Sequence, residues 1–472
     1  MSTSSGQPFC ADRVSMPLTS LVLRIVCTVP LTALPVLSTG CAGEDGTADG
    51  GVSDAGPDAR SQQDTGAGTD AGAADDGGPR ADGGPTPGGR IIVDPDNPAW
   101  LRYEGGGPFF LCGPGDPEDF LYRGSRNADG TRTGDQSDLI AKVAGTGANG
   151  IYFQAVRSHG GDGMPDHNPF IDSDPTQALD DDILSQWETW FTQMEDAGIV
   201  IYFFFYDDSA RIWNTGDAVG AEEETFVTAI VDRFEHHDLL MWVVAEEYQE
   251  RYSPARVSNI ASAIRSADDN DHIIAVHKLS GLSFEELADA PAIDQFAIQY
   301  NVATAAELHD GMVTAWNNAR GRYNLNMSEA AGHGAGSTAR LKNWATALGG
   351  AYVMVIEWDI ATTAISDLED CGRLVRFMES TDLTRLEPHD ELAFGATVYV
   401  LANPGRAYVA YASSPSGDLG LRGLDLGRYR LRWLDPADGD AVMEVVDVTA
   451  TDTTWPTPAS IGPEVALYVG RL

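Results

Sequence analysis

Beyond residue 90 the chain alternates short, strongly apolar segments with longer segments whose apolar residues recur at helical spacing. Segment 181–197 shows the second pattern, with Ile183, Trp187 and Trp190 on one helical face. The short segments predict eight strands, at 109–112, 150–155, 200–205, 240–245, 273–276, 295–299, 324–327 and 352–356. Eight strands with helices between them predict an α/β fold, a (β/α)₈ TIM barrel, over residues 91–386.

An open, doubly wound sheet is the alternative arrangement of such units. That fold usually carries a glycine-rich turn, G-x-G-x-x-G, after its first strand. The segment Gly113-Pro114-Gly115 at this place is not followed by the motif. The sequence therefore favours the barrel.

After about residue 387 the pattern changes to alternating apolar and polar positions separated by Gly, Asn-Pro and Asp-Pro turns. Such alternation is typical of half-buried strands joined by tight turns. We predict a small antiparallel β-sandwich over 387–472, separate from the barrel.

The first 90 residues have a different character. An apolar run at 25–37, too short to span a bilayer, predicts a signal peptide over residues 1–40. The small residues before Cys41 resemble a bacterial lipobox, which implies lipid attachment at Cys41. Residues 41–90 are nearly all small or polar and predict a disordered linker. We therefore expect an exported protein, a bacterial outer-membrane or cell-surface lipoprotein that contacts the membrane only through its lipid anchor. The alternative is that residues 1–40 are a plain secretory signal and that Cys41 carries no lipid.

Charge narrows the classes of partner. The 472 residues include 71 acidic and 30 basic side chains, a net charge of −41. Nucleic acid and anionic lipid both require clustered Lys and Arg, so neither is an expected partner. The sequence contains no C-x-x-C or H-E-x-x-H string, and we expect no structural zinc site, no catalytic metal and no organic cofactor. His236 and His237, in the loop before the fourth strand, are interpreted as a solvated pair.

Carboxyl groups follow two of the predicted strands. Glu246 and Glu247 end the fourth strand, and Glu329 ends the seventh. Active sites of such barrels lie at the carboxyl ends of the strands, and two carboxyl groups facing one another there can cleave a glycosidic bond. Because side chains alternate across a strand, Glu246 and Glu247 cannot both point inward if that strand stays regular.

These strand ends resemble those of the large clan of retaining glycoside hydrolases. More closely, residues 92–470 are similar to secreted barrel proteins that end in a β-sandwich named for collagen binding. The resemblance implies that Glu247 is the acid/base and Glu329 the nucleophile, with Glu246 standing where the clan commonly has Asn. The matching segments are G-G-P-F-F-L-C-G, W-V-V-A-E-E-Y, A-V-H-K, A-I-Q-Y and V-I-E-W-D in the barrel, with A-N-P-G-R-A-Y-V-A-Y and R-W-L-D-P in the tail.

The resemblance also implies roles at other strand ends. Arg157 would lie beside Glu329 and keep it ionised. Tyr300 would direct its hydroxyl at the nucleophile, and Trp358 would stack on a sugar ring. Further candidates for hydrogen bonds to sugar hydroxyls are Glu246, His277, Gln299, Asp116, Asp207, Asp208 and Asp359.

Two cysteines lie in elements that a closed barrel makes neighbours. Cys112 ends the first strand, and Cys371 lies near the last helix. Export would allow them to form a disulfide. Two free buried thiols are equally compatible with the sequence.

Three functions remain open from the sequence. The first is a tethered retaining glycoside hydrolase that acts on a polysaccharide or oligosaccharide without a cofactor. The second is a non-catalytic carbohydrate-binding or adhesion lipoprotein on the same barrel. A lyase acting on acidic sugars is disfavoured, because the chain itself is strongly acidic. Collagen is not an expected partner, since no exposed aromatic stripe marks a collagen groove.

Overall fold

The structure, a computed structural model, describes residues 89–115, 120–330 and 332–472. The predicted signal peptide, the lipidation site Cys41, nearly all of the predicted linker and Asp116 lie outside this part of the chain. Among the described residues, no helix combines the length and the apolar character that a membrane span needs.

Eight parallel strands form the barrel and confirm the predicted fold class. From the second strand to the eighth, each strand pairs with the next along the chain, and the eighth pairs back to the first; between the first and second strands no ladder pairing is present in the described residues. The strands are β1 (Cys112–Pro114), β2 (Gly150–Val156), β3 (Val200–Tyr206), β4 (Leu240–Ala245), β5 (Ile273–Lys278), β6 (Gln295–Gln299), β7 (Asn324–Glu329) and β8 (Tyr352–Val355).

The barrel closes between β1 and β2 through an asparagine and two glycines. The Asn149 side chain accepts a hydrogen bond from the Cys112 amide at 2.9 Å and donates one to the Phe110 carbonyl at 2.8 Å. A Cβ on Gly113 would lie 2.3 Å from the carbonyl oxygen of Gly150. The two backbones therefore approach more closely than any larger residue would permit.

In the part of the chain that the structure describes, seven helices surround the strands. They are α1 (Gln136–Ala144), α2 (Asp181–Asp196), α3 (Ala221–Phe234), α4 (Pro254–Ala267), α5 (Ala305–Ala319), α6 (Ser337–Leu348) and α7 (Ile365–Glu379). The connection between β5 and β6 contains no helix, so the predicted strict alternation is wrong at that point. Gly281 and Pro291 interrupt this segment, and neither residue favours a helix interior.

A hairpin before the barrel covers the amino-terminal ends of the strands. Ile91–Val93 pairs antiparallel with Leu101–Tyr103. The Leu101 amide donates to the hydroxyl of Tyr352, the first residue of β8, at 2.6 Å. The open end of the barrel is therefore the carboxyl end of the strands.

The C-terminal residues form two antiparallel sheets that share one hydrophobic core, as predicted for a sandwich. The strands are β9 (Glu387–Pro388), β10 (Ala393–Gly395), β11 (Tyr399–Asn403), β12 (Ala407–Ser413), β13 (Leu419–Leu421), β14 (Gly427–Leu434), β15 (Ala441–Val448), β16 (Thr453–Trp455) and β17 (Glu464–Arg471). One sheet has the strand order β9-β11-β12-β17-β14-β15, and the other has the order β10-β13-β16.

The sandwich packs against α5 and α6 of the barrel. The rings of Trp344 and Tyr411 stack with centroids 5.3 Å apart. His309 Nε2 lies 2.7 Å from the Asp390 carboxylate. Both aromatic and polar contacts therefore fix the sandwich to the outside of the barrel, against α5 and α6.

The structure contains a disulfide between Cys112 in β1 and Cys371 in α7. Both residues are fully buried. The bond fastens the first strand to the last helix, next to the place where the barrel closes.

Candidate active site

A cavity of about 240 Å³ opens at the carboxyl ends of the strands. We call it the carboxylate cavity, because three aspartates and four glutamates line it with a single arginine and an isoleucine. Its lining residues are Arg157, Asp162, Asp207, Asp208, Glu246, Glu247, Glu329, Ile356 and Glu357.

Larger hollows lie elsewhere on the surface. One of about 700 Å³ includes Tyr122, Arg132 and His167, and another of about 730 Å³ includes Phe170 and Trp213. Neither brings two glutamates together. Size alone therefore does not identify the site, whereas converging carboxyl groups do.

Both acids that follow β4 reach the same cavity. The strand ends at Ala245, and Glu247 adopts left-handed backbone angles, φ 36° and ψ 45°. Regular alternation would send the two side chains to opposite faces, but it stops before Glu247. This left-handed residue is not a glycine, and such backbone strain is often found at functional sites.

The carboxyl group of Glu247 is set up to hold a proton near neutral pH. Burial, followed by the negative charge of Glu329, raises the pKa of Glu247 to about 7. The Gln299 side-chain amide donates to Glu247 Oε1 at 2.5 Å and acts in the opposite direction by favouring the charged form. Gln299 therefore orients Glu247.

Glu329 is the last residue of β7 and lines the cavity with Glu247. The register between β6 and β7 shifts between Ile298 and Gln299, which pairs Gln299 with Glu329. Gln299, which donates a hydrogen bond to Glu247, and Glu329, whose charge raises the pKa of Glu247, therefore lie opposite each other on adjacent strands.

A second carboxyl pair forms the inner wall of the cavity. Glu246 is 8% exposed and Asp207 is 3% exposed. Arg157 Nε lies 3.3 Å from Asp207 Oδ2, and the Gln154 amide donates to Glu246. Burial and the charge of Asp207 raise the pKa of Glu246 well above its usual range. Burial also raises the pKa of Asp207, but Arg157 and the hydrogen bond from Glu246 oppose that rise, so Glu246 is the member of the pair that holds the proton.

Tyr300 and Trp358 do not line the carboxylate cavity. A Cβ on Gly311 in α5 would lie 2.3 Å from the Tyr300 ring, so this ring packs against the helix and not among the cavity residues. Trp358 is 5% exposed, and its indole N–H donates to the Gly334 carbonyl at 3.0 Å. Its ring contacts His333 edge to face.

His277 lies next to Glu247, whose backbone amide donates to His277 Nδ1 at 3.4 Å. It is fully buried, and burial lowers its pKa to about 3, so its imidazole is neutral at working pH. Asp359 lies in a turn, where it accepts hydrogen bonds from Ala361 and Thr362. Neither residue lines the cavity.

Two of the acidic residues that line the cavity, Glu357 and Asp162, are not among the candidates predicted from the sequence. Glu357 follows β8, and burial and then the charge of Glu329 raise its pKa to about 7 against opposing hydrogen bonds. Its position after an apolar strand is the same signal that identified Glu247. Asp162 comes from the loop after β2, where its amide donates to Asp207 at 2.9 Å, and no local pattern marks it.

The outer side of the cavity carries further carboxyl oxygens. One oxygen each of Asp208, Glu247 and Glu250 lies within 4.8 Å of the others. Burial, followed by the charge of Asp207, raises the pKa of Asp208 to about 7. Carboxylate oxygens such as these are the hard ligands that Ca²⁺ prefers. The charges of Asp208 and Glu250 also raise the pKa of Glu247.

The predicted solvated pair of histidines is wrong for one of its members. His236 is exposed, as predicted, but His237 is 1% exposed. His237 packs edge to face against Phe191 of α2, and its Nδ1 donates to the Glu195 carboxylate at 2.9 Å. The loop before β4 folds back under the helices, so a position between two elements did not imply exposure.

Solved structures share this fold, although the sequence matches no protein-family model and no curated protein. A glycoside hydrolase family 5 protein from Bacteroides vulgatus ATCC 8482 has a TM-score of 0.59 at 13% identity, over 81% of this chain and 94% of that chain. Another structure, described as a glycoside hydrolase, has a TM-score of 0.60 at 12% identity, over 81% of this chain and 97% of that chain. At these identities the likeness shows the fold, and its neighbours in that fold are glycoside hydrolases.

Proposed function

We propose that the protein is a retaining glycoside hydrolase that cleaves a polysaccharide or oligosaccharide with Glu247 and Glu329. One observation carries the proposal: both groups line a single open cavity, and the charge of Glu329 helps to raise the pKa of Glu247 to about 7. Two carboxyl groups whose environments separate their proton affinities can divide the acid and nucleophile roles between them.

In the first step, the Glu329 carboxylate attacks the anomeric carbon while Glu247 gives its proton to the departing glycosidic oxygen. The bond from that oxygen to the anomeric carbon breaks, and an ester to Glu329 forms. Esterification removes the charge of Glu329, which is one cause of the raised pKa of Glu247. The pKa of Glu247 should then fall, which suits the next step.

In the second step, the Glu247 carboxylate takes a proton from water, and the oxygen of that water attacks the anomeric carbon. The ester bond breaks, and Glu329 leaves as a carboxylate. Glu247 regains its proton, so the enzyme returns to its starting state. No cofactor enters this balance.

We assign Glu246 a role in substrate binding. The clan that the sequence resembles commonly has Asn at this place, and a protonated carboxyl resembles an amide in that it can both donate and accept a hydrogen bond. The raised pKa of Glu246 supports this reading, because only the neutral form has a proton to donate.

The expected substrate is uncharged. Seven carboxyl-bearing residues line the cavity with one guanidinium, and a uronic acid would be repelled there.

We further propose that the protein is exported and tethered to a bacterial surface by lipid on Cys41, with residues 41–90 as the spacer. This part of the proposal rests on the sequence alone.

The test is a panel of neutral aryl glycosides and polysaccharides, assayed with the native protein, Glu247→Gln and Glu329→Gln. A 2-deoxy-2-fluoro glycoside should label Glu329, and mass spectrometry of peptides would locate the ester. Glu285→Gln, which removes an exposed glutamate paired with Arg322, is the matched control. Turnover that survives in either cavity variant would remove that residue from the mechanism, and binding without turnover in the native protein would support the carbohydrate-binding alternative.

A further inference from the structure

A second group of converging side chains lies at the opposite end of the barrel from the carboxylate cavity. Glu188 comes from the middle of α2, while His236 and His237 occupy the turn between α3 and β4. One carboxylate oxygen and two imidazole nitrogens lie within 4.8 Å of one another. Because this turn precedes β4, the group lies at the amino-terminal ends of the strands.

Two of the three separations match the edges of a metal tetrahedron, and the nitrogens of the two histidines lie within 4.8 Å of each other. Glu188 Oε1 lies 3.0 Å from His236 Nε2 and 3.3 Å from His237 Nε2. Ligands bound to zinc at about 2.0–2.1 Å in a tetrahedron are separated from one another by about 3.3 Å. A single ion could therefore contact all three atoms with little movement of the side chains.

His237 supplies an independent sign of a ligand. Its ring is almost wholly buried, and its Nε2 atom has no hydrogen-bond partner among the described residues although Glu188 Oε1 is 3.3 Å away. The two atoms are close but not aligned for a hydrogen bond. A buried nitrogen left in this way carries a desolvation cost that a bound cation would remove.

The other nitrogen of His237 is held as metal-binding imidazoles usually are. Nδ1 lies 2.9 Å from Glu195 Oε2, a carboxylate that fixes the ring and its tautomer. The other oxygen of Glu195 accepts a hydrogen bond from the Asp238 amide, which holds this carboxylate in place. Glu195 is therefore a carboxylate partner of the kind found behind metal-bound histidines.

The remaining charged neighbour is Arg233. Its Nε atom lies 3.9 Å from Glu188 Oε2, a distance too long for a hydrogen bond. The histidines contact the other oxygen of Glu188, Oε1. The guanidinium also contacts Ser185 and Asp181. Arg233 thus orients Glu188 without occupying the space between the carboxylate and the two imidazoles.

We propose that Glu188, His236 and His237 bind a zinc-class divalent cation. Two imidazoles and one carboxylate suit zinc better than magnesium or calcium, which prefer all-oxygen ligands. The ion joins α2 to the turn before β4. Since barrel chemistry occurs at the carboxyl ends of the strands, this ion stabilises the fold and takes no part in the proposed hydrolysis.

The test uses full-length protein without a histidine tag. We expect calorimetric titration with ZnCl₂ to give one site per chain, and zinc to raise the melting temperature of the native protein but not of His236→Gln, whereas MgCl₂ and CaCl₂ should act equally on both proteins. Cobalt(II) should give the visible absorption of a tetrahedral site. Because activity is not measured, failure of the proposed hydrolysis would leave this result unchanged.

Three variants and one control separate the site from incidental histidine binding. His236→Gln changes an exposed side chain and should fold, yet should lose the zinc response and the cobalt spectrum; His237→Gln should do the same. Glu195→Gln should weaken zinc by about 10- to 100-fold, the usual cost of losing such a carboxylate. His389→Gln removes a histidine that contacts one glutamate, Glu391, in the sandwich, and should leave binding intact. Equal zinc binding by native protein and His236→Gln, or no binding by native protein, would overturn the proposal.

Discussion

At the scale of single residues, Glu247 combines three local features. Its backbone is left-handed, Gln299 donates a hydrogen bond to its carboxylate, and its pKa is about 7 because burial and the charge of Glu329 outweigh that hydrogen bond. An acid with a pKa near the working pH gives up and recovers its proton most efficiently. Substitutions of the residues around Glu247 should therefore shift its pKa in directions that can be stated in advance.

We predict that kcat/KM of the native protein falls as pH rises above about 7, because Glu247 must be protonated to act as the acid. Asp208→Asn removes a negative charge that raises this pKa, so the fall should begin at lower pH. Gln299→Leu removes the hydrogen bond that lowers the pKa, so the fall should begin at higher pH. Full pH–rate profiles with an aryl glycoside would measure both shifts.

The opposite directions of the two shifts are the sensitive part of this experiment. General loss of structure would lower the rate in both variants without moving the profile in opposite senses. Shifts in the same direction, or an unchanged profile in both, would show that Glu247 is not the group whose protonation controls the rate.

Sequence position identified acids at the ends of the fourth and seventh strands, but it missed Glu357 after the eighth strand and did not show where every side chain points. Glu246, Glu247 and Glu329 could be named because carboxyl groups follow apolar strands, and these three line one cavity. Tyr300 and Trp358 follow strands in the same way, yet they pack against Gly311 and beside Gly334. The periodicity of a strand stops at its last residue, so the direction beyond that residue depends on the turn.

At the scale of the elements, the apolar pattern located all eight barrel strands but not the hairpin that covers their amino-terminal ends. The hairpin Ile91–Val93 and Leu101–Tyr103 was not predicted, because its short strands are only partly buried and lack a long apolar run. The first barrel strand begins at Cys112, whereas 109–112 was predicted. Phe109 and Phe110 are buried in the segment just before the strand. A buried segment without strand pairing has the same apolar pattern in the sequence as a buried strand, so the pattern did not show where the strand begins.

One carboxyl group connects three of these elements. Glu379, the last residue of α7, accepts hydrogen bonds from the Tyr103 hydroxyl and the Phe110 amide, each at 3.2 Å. It thereby links the helix to the hairpin and to the approach to β1. Burial raises the pKa of Glu379 to about 7, despite both hydrogen bonds.

We predict that Glu379→Gln becomes more stable than the native protein as pH rises. A carboxyl whose folded pKa is raised stabilises the fold below its unfolded pKa, and this contribution is lost as pH rises through the folded value. The shift from 4.5 to about 7, at about 1.4 kcal/mol per unit, sets an upper bound of about 3 kcal/mol on the gain at pH 8. At pH 5 the two proteins should be nearly equal.

Urea unfolding at pH 5 and pH 8 would measure this difference. Glu224→Gln, at an exposed position of α3, controls for the loss of one carboxyl group. A native protein that is more stable than Glu379→Gln at pH 8 would mean that the charged carboxylate is favourable where it lies.

At the scale of the whole molecule, Arg340 joins the sandwich to the barrel. Its guanidinium lies 2.8 Å from Asp370 in α7 and 2.9 Å from Glu464 at the start of β17. The three side chains are 13%, 4% and 7% exposed. Burial raises the pKa of both Asp370 and Glu464, and Arg340 opposes that rise in each case.

We predict that Arg340→Met lowers the unfolding free energy by about 3 kcal/mol near pH 8, because it leaves buried carboxylates without their shared cation. The loss should be smaller at pH 5. Without Arg340 the pKa values of Asp370 and Glu464 should rise further, and a carboxyl with a raised folded pKa is least costly where it is protonated. Arg373 still contacts Asp370, so Glu464 should dominate the pH dependence.

Urea unfolding followed by tryptophan fluorescence would report on both parts, since Trp242 is buried in the barrel and Trp433 in the sandwich. Arg322→Met, which breaks the exposed pair with Glu285, should change stability little because solvent screens that contact. If Arg340→Met behaved like Arg322→Met at both pH values, the sandwich would be held by the stacking of Trp344 on Tyr411 and by its other contacts, and not by this ion pair. If the variant instead unfolded in two separate steps, Arg340 would be the contact that makes the barrel and the sandwich unfold together.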